Sequence, residues 1–303
     1  MARGRKLGVR KIAVPAIVLT LFAAFLAGAL ALTAQPAPEH PFFRLPRPTI
    51  VAHRGGRSLG PENTLHTFRK ALEAGAHVLE MDVRATRDGI PVLMHDATVD
   101  RTTDGRGAVR DLSFRDIRKL DAAYRWSPDG GATFPLRGRG IAVPALEEVL
   151  KAFAEAPKSI EIKGSDPATA TLFCELVRRY DHGSRILASS FHDETVEAVR
   201  RSCPQAATSV TFSEGRWLFL LSRLRLTFLH SPEAHALQVP ERFGRIQVVT
   251  PRFVRDAHGR NLRVYVWTVN DPRAMRALLD MGVDGLITDH PRRMRRLGSA
   301  ESP

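Results

Sequence analysis

The sequence predicts an α/β fold, specifically a (β/α)8 TIM-type barrel, from three observations. From Thr49 onward, short β-branched runs alternate with helix-patterned segments, which is the mark of a parallel sheet. Eight such runs fit within residues 49–297, close to the roughly 250 residues such a barrel uses. No Gly-x-Gly-x-x-Gly turn follows a strand, which disfavours the runner-up, an open doubly wound sheet.

Taken in order, strands are expected at 49–53, 77–83, 158–162, 185–189, 206–211, 246–250, 263–269 and 285–288. Helical patterns fall between them at 63–74, 146–154, 168–180, 193–201 and 272–281. Asn63, with Pro61 just before it, is expected to cap the first of these helices. Residues 91–95 are also strand-like, but 84–90 leave no room for a crossover helix. Asp88-Gly89 is a hairpin signal, so this run is expected to return antiparallel and carry His95 over the barrel mouth. Residues between His95 and Lys158 are rich in Gly, Arg and Asp and show no clear strand. They form an expected inserted loop region after the second strand, acting as a lid or small subdomain.

The N-terminus has its own pattern. Arg3, Arg5, Lys6, Arg10 and Lys11 precede an uncharged run over residues 12–32. As one hydrophobic helix this run would reach about 32 Å, enough for a hydrocarbon core of about 30 Å. The basic flank would keep the start in the cytoplasm and place the barrel outside. Residues 1–33 are therefore expected to be a membrane anchor, with a cleaved signal peptide as the competing reading because of the small residues at 29–34. Residues 34–48 read as a Pro-rich linker, 49–297 as the barrel domain and 298–303 as a tail.

The chain has 303 residues, is 44% hydrophobic and carries a formal net charge of +13. Five basic residues and no acid in the first 38 leave +8 for the remainder. Such an excess favours anionic partners, but no basic motif with interleaved aromatics appears, and nucleic acid is not expected as a partner. The anionic partners such a charge would favour are a phosphate-bearing small molecule or a lipid headgroup. Oligomeric state is not readable. Cys174 and Cys203 show no motif and are expected to be isolated packing thiols.

Four short words carry the chemistry: His53-Arg54-Gly55, Glu80-Met81-Asp82, His95-Asp96 and Glu161-Ile162-Lys163. Residues two apart on a strand share a face. Glu80 and Asp82 thus aim two carboxylates at one point, and Glu161 and Lys163 an acid and a cation at another. Three carboxylates without a cysteine suit a hard cation, Mg²⁺ or Ca²⁺, rather than Zn²⁺. Acids among Val78, Leu79, Met81 and Val83 would be costly on a plain strand face unless paired or metal-bound. His53 and His95 both end apolar runs and titrate near neutrality, as a proton donor and acceptor must. Lys163 is either a salt-bridge partner of Glu161 or a phosphate contact; a barrel interior rarely takes a lysine without an anion. Together these groups describe phosphoester chemistry.

With these residues in place, the chain resembles the glycerophosphodiester phosphodiesterase family from Thr49 to about Arg296. The words that carry the resemblance are the four above with Pro61-Glu62-Asn63-Thr64, Val92-Leu93-Met94-His95-Asp96, Trp267-Thr268-Val269-Asn270 and the run from Asp284 to Asp289. The resemblance implies a TIM-type barrel, a bound Mg²⁺ or Ca²⁺, and hydrolysis of a glycerophosphodiester to an alcohol and glycerol 3-phosphate. It implies Glu80, Asp82 and Glu161 as metal ligands and His53 and His95 as acid and base. Arg54 and Lys163 are implied as phosphate contacts and Trp267 as a wall of the substrate pocket. Glu62 is read as hydrogen-bond support for the metal shell. Which histidine is acid, and whether water or a vicinal hydroxyl attacks, stay open. Two alternatives stand beside this reading: a lysophospholipase D acting on membrane lipid, and an inactive membrane-anchored binding protein. The apolar run 217–221 with Leu224, Leu226, Phe228 and Leu229 reads first as core, then as a membrane-interface surface.

Overall fold

The computed structural model describes residues 32–299, with Val18, Leu21 and Gly28 before them. The rest of the N-terminal run and the end of the 298–303 tail lie outside the described residues. Among the described residues no helix is long and apolar enough to cross a membrane.

Eight parallel strands form a nearly closed barrel. β1 (Thr49–Ala52) pairs with β2 (Val78–Ala85), which pairs with β4 (Lys158–Ile162), followed by β5 (Ile186–Ser189) and β6 (Ala207–Thr208). On its other side β1 pairs with β11 (Gly285–Thr288), then β10 (Arg263–Trp267) and β7 (Ala236–Pro240). A bridge between Ser209 and Ala236, with Val210 N donating to Ala236 O at 2.8 Å, joins the two ends. As expected, β3 (Pro91–Leu93) runs antiparallel on β2.

The seventh barrel strand is not where the sequence pointed. Residues 246–250 carry the stronger β-branched run, yet Ala236–Pro240 pairs with β10 over five residues. Ile246–Gln247 (β9) instead forms a two-stranded hairpin with Arg242–Phe243 (β8). Thr250 is drawn away to cap the next helix, its hydroxyl accepting from Phe253 N. Barrel pairing outweighs intrinsic strand preference here.

Strand β2 shows why the site sits inside. Leu79, Met81 and Val83 are fully buried against the surrounding helices, packing with Phe68, Leu150 and Phe173. Glu80 and Asp82 necessarily take the opposite, inner face. Lower in the barrel, Val51, Val78, Leu187, Ala207, Ala236, Tyr265 and Ile287 close the interior, one side chain from each barrel strand except β4. Phe42 seals this layer from below, and Ala37 N donates to Arg260 O. The Pro-rich stretch is thus tied to the barrel floor by these contacts.

Two local expectations are corrected. Thr64, not Asn63, caps helix α1 (Leu65–Glu73), its hydroxyl accepting from Thr67 N. Cys174 and Cys203 are not separate thiols; their Cα atoms lie 5.5 Å apart and the sulfurs form a disulfide between adjacent helices. Their one shared property in the sequence, burial among apolar neighbours, could not show that two helices bring them together.

The stretch between β3 and the helix Leu146–Ala152 holds its own small core of Val99, Val109, Ile117, Ala122 and Val143, packed on Val92 and Met94. The apolar run after Thr211 is two-sided. Leu218 and Leu221 are buried while Trp217, Leu220, Leu224 and Phe228 stay exposed.

Candidate active site

His53, Arg54, Glu80, His95, Glu161, Lys163 and Trp267 all line one cavity of about 830 Å³ at the C-terminal mouth of the barrel. Asp82 lies beneath it, and Glu62 lies behind Arg54.

The local backbone explains the first histidine. β1 ends at Ala52 and the chain turns sharply, with Arg54 at φ 51° and Gly55 at φ 86°. A Cβ at Gly55 would lie 2.9 Å from the Phe68 ring, so only glycine fits. Arg54, a non-glycine residue held in the left-handed region, donates its backbone N–H to Glu80 Oε2 at 2.6 Å. Strained backbone of this kind costs about 1–3 kcal/mol and gathers at functional sites.

The two acid points expected from the sequence are one. The β2–β4 register sets Asp82 beside Glu161. Oxygens of Glu80, Asp82 and Glu161 come within 4.8 Å of one another, a donor set suited to a hard divalent cation. Burial, followed by the charge of Asp82, pushes Glu80 up to about 7, and a cation would relieve both effects. Lys163 Nζ lies 2.6 Å from Glu161 Oε1 and 3.1 Å from Asp82 Oδ1, so the salt-bridge reading describes its contacts here. Arg54 Nε lies 3.3 Å from Asp82 Oδ2 without an aligned hydrogen bond, leaving a buried donor at the cavity wall.

Each histidine is held by a carboxylate. His53 Nδ1 sits 2.8 Å from Asp289 Oδ1, and His95 Nδ1 sits 2.7 Å from Asp96 Oδ1. Both aspartates are held below the usual carboxylate range despite burial, by these histidines and, for Asp96, chiefly by Arg101. Ionised acceptors fix the proton on Nδ1 and leave Nε2 as the reactive atom. The two rings shift in opposite directions. Burial alone would lower His53, but the Asp289 bond and the Glu80 charge raise it. Burial lowers His95 against the pull of Asp96.

Sequence reasoning missed several members. Asn63 clamps Asp82 twice, its Nδ2 donating to Oδ2 at 3.0 Å and its Oδ1 accepting from Asp82 N at 3.2 Å. Glu62 does not touch the carboxylate trio; it accepts from Arg54 at 3.0 Å and from Arg101 at 2.7 Å. Arg101 also reaches Asp96, binding the loop after β3 to both histidine and arginine supports. Asn270 Nδ2 donates to Asp289 Oδ2 at 2.8 Å. Asp289 could have been found: barrel closure pairs Ala52 with Thr288, so the residues that follow them are neighbours.

Comparison with known proteins agrees with this geometry. The Glycerophosphoryl diester phosphodiesterase family matches residues 53–293. The chain belongs to that family. It is a phosphoric diester hydrolase. A glycerophosphodiester phosphodiesterase of Caldanaerobacter subterraneus subsp. tengcongensis is 32% identical over 247 residues, covering 80% of this chain and 94% of the relative. One from Bacillus subtilis is 30% identical, covering 80% of this chain and 83% of the relative. The crystal structure of glycerophosphodiester phosphodiesterase from Agrobacterium tumefaciens superposes with a TM-score of 0.66 at 26% identity, covering 82% of this chain and 99% of that one.

Proposed function

We propose that this family member hydrolyses glycerophosphodiesters to an alcohol and glycerol 3-phosphate with the help of a divalent cation. The observation that carries the reading is three carboxylates converging between two histidines, each histidine backed by its own aspartate. Glu80, Asp82 and Glu161 would hold Mg²⁺ or Ca²⁺. When bound, the ion supplies charge withdrawal from the phosphate.

The protein's own groups then divide the work. Arg54 and Lys163 present donors to the phosphate oxygens from the cavity wall, which both side chains line. His95, shifted down and so neutral, takes a proton from the attacking water. His53, held by Asp289 and shifted in the direction an acid needs, gives one to the departing alkoxide. Trp267, edge-on to Phe191 at 6.0 Å, forms a side wall that helps exclude water.

The barrel is read as working outside the cytoplasm. The basic residues before residue 12 support that orientation, as does a disulfide, a bond that persists in oxidising compartments. Turnover of a panel of glycerophosphodiesters, with and without EDTA, tests the central claim. Full activity in excess chelator would remove the cation from it.

A further inference from the structure

Two aspartates orient the two histidines, but they are held in different ways. Asp289 directly follows β11, and its backbone N–H donates to Asn270 Oδ1 at 3.0 Å. Its carbonyl accepts from Ser58 N and Ser58 Oγ at 3.1 and 2.6 Å, and Asn270 Nδ2 fixes its second carboxylate oxygen. The barrel frame itself therefore sets the partner of His53. Asp96 has no such frame. It lies on the loop beyond β3, and among the described residues its carboxylate accepts only from His95 and Arg101.

Arg101 grips two carboxylates at once. Its Nε and Nη2 donate to the two oxygens of Asp96 at 2.6 and 3.2 Å. Its Nη1 and Nη2 donate to the two oxygens of Glu62 at 2.9 and 2.7 Å. A guanidinium presents its donors in one rigid plane and can serve both acids, which an ammonium cannot. Glu62 is the fixed end of this bridge. Its side chain is 8% exposed and also accepts from Arg54 at 3.0 Å and Arg57 at 3.1 Å. Isolated surface ion pairs contribute little, but bidentate pairs joined in a network are the exception.

The inserted region carries the arginine on a packed turn. Val99 is fully buried in that region's small core. Val99 N donates to Gly107 O at 3.1 Å, Val109 N to Ala97 O at 2.9 Å and Thr103 Oγ1 to Val99 O at 2.8 Å, closing the chain on both sides of residue 101. The Arg101 side chain is 42% exposed, so filling a core does not account for it.

We propose that Arg101 is a positioning residue for the hydrolysis, carried by the inserted region to fix Asp96 and, through Asp96, the His95 ring that takes the proton from water. The inference rests on the phosphodiesterase reading above and names what the inserted region contributes to that site. Arg101 belongs neither to the cavity wall nor to the carboxylate trio, so its effect passes through the histidine. Without it, Glu62 keeps Arg54 and Arg57, while Asp96 keeps only the ring it must orient. The loss therefore falls on turnover of bound substrate rather than on substrate affinity.

The test uses the full chain with its cation and soluble glycerophosphocholine, which wild type should hydrolyse. Arg101→Ala should lower kcat roughly a hundredfold, the lower end of what a general base contributes, with KM within about threefold of wild type. Arg101→Lys keeps the charge without the fork and should still lose kcat roughly tenfold. Added guanidinium ion should restore part of kcat in Arg101→Ala, and added ammonium ion should not. Asp96→Asn should cost much less in Arg101→Ala than in wild type, because both substitutions remove one arrangement. Full kcat in either Arg101 variant, with only a lower melting temperature, makes Arg101 a tether of the loop and overturns the proposal. A loss confined to KM, or additive costs with Asp96→Asn, removes the route through His95 and overturns it equally. Should Arg101→Ala fail to fold, Arg101→Lys decides by the same readings. Absence of turnover by wild type overturns the phosphodiesterase reading and this inference together.

Discussion

Asp289 and Asp96 hold equivalent atoms of two rings that shift in opposite directions. A base must be neutral and an acid protonated, so activity should rise with pH through the His95 value and fall through the His53 value. His95→Ala should abolish the acid limb of the kcat/KM profile and His53→Ala the alkaline limb, each with a loss of about 10²–10⁴-fold. Survival of both limbs in either variant would make that histidine structural. Glu62 offers a stability test. Burial would raise it, yet Arg101, Arg54 and Arg57 hold it down at about 2. Its unfolded value is higher, so its contribution is present above about 4.5 and lost as pH falls towards 2. The melting temperature of Glu62→Gln should therefore fall less than that of wild type across this interval. The chemistry-bearing residues were legible because strand periodicity and residue type restrict what Glu80, Asp82, His53 and His95 can do. Their supports were not, because Asn63, Arg101 and Asn270 act through contacts between distant segments. Lys158 shows the limit of the argument applied to Lys163. It is fully buried on β4, the strand that Lys163 follows, and among the described residues forms no ion pair, donating instead to Phe153 O and Ala156 O at 2.6 and 2.7 Å.

At the scale of elements, strands bounded by turn residues were read well, and β4 and β11 fall on the residues expected. The seventh strand was misread because 246–250 has the richer β-branched composition, while Ala236–Pro240 is selected only by its neighbour β10. The disulfide was equally hidden, since its 29-residue separation spans the end of one helix, a strand and the whole of the next helix. Closing a loop of that size restricts the unfolded chain, and its removal should cost roughly 3 kcal/mol. Denaturant unfolding of Cys174→Ser with Cys203→Ser would measure this. A midpoint equal to wild type would show that the bond contributes nothing to stability.

For the whole molecule, the eight-strand arrangement followed from length and alternation, and its near-closure brings the candidate catalytic residues to one mouth. Three carboxylates gathered there oppose folding unless neutralised, by protons or by a cation. Glu80, raised to about 7, is the group for which the two compete. Mg²⁺ or Ca²⁺ should raise the melting temperature, more at pH 8 than at pH 6, because binding must displace the proton. A cation effect that is independent of pH, or that persists in Glu80→Gln with Asp82→Asn, would place the ion elsewhere.

His53 and the carboxylate that orients it are 236 residues apart, on neighbouring first and last strands. A ribosome delivers Asp289 236 residues after His53, so this pair is among the last contacts the growing barrel can make. A truncated product ending between Glu161 and Asp289 carries both histidines and all three carboxylates, yet lacks the group that sets the tautomer of His53. Competence for hydrolysis is thereby coupled to synthesis of the last barrel strand and the residue after it. A fragment stalled during translation or passage across a membrane would hold the site's parts without the means to align them.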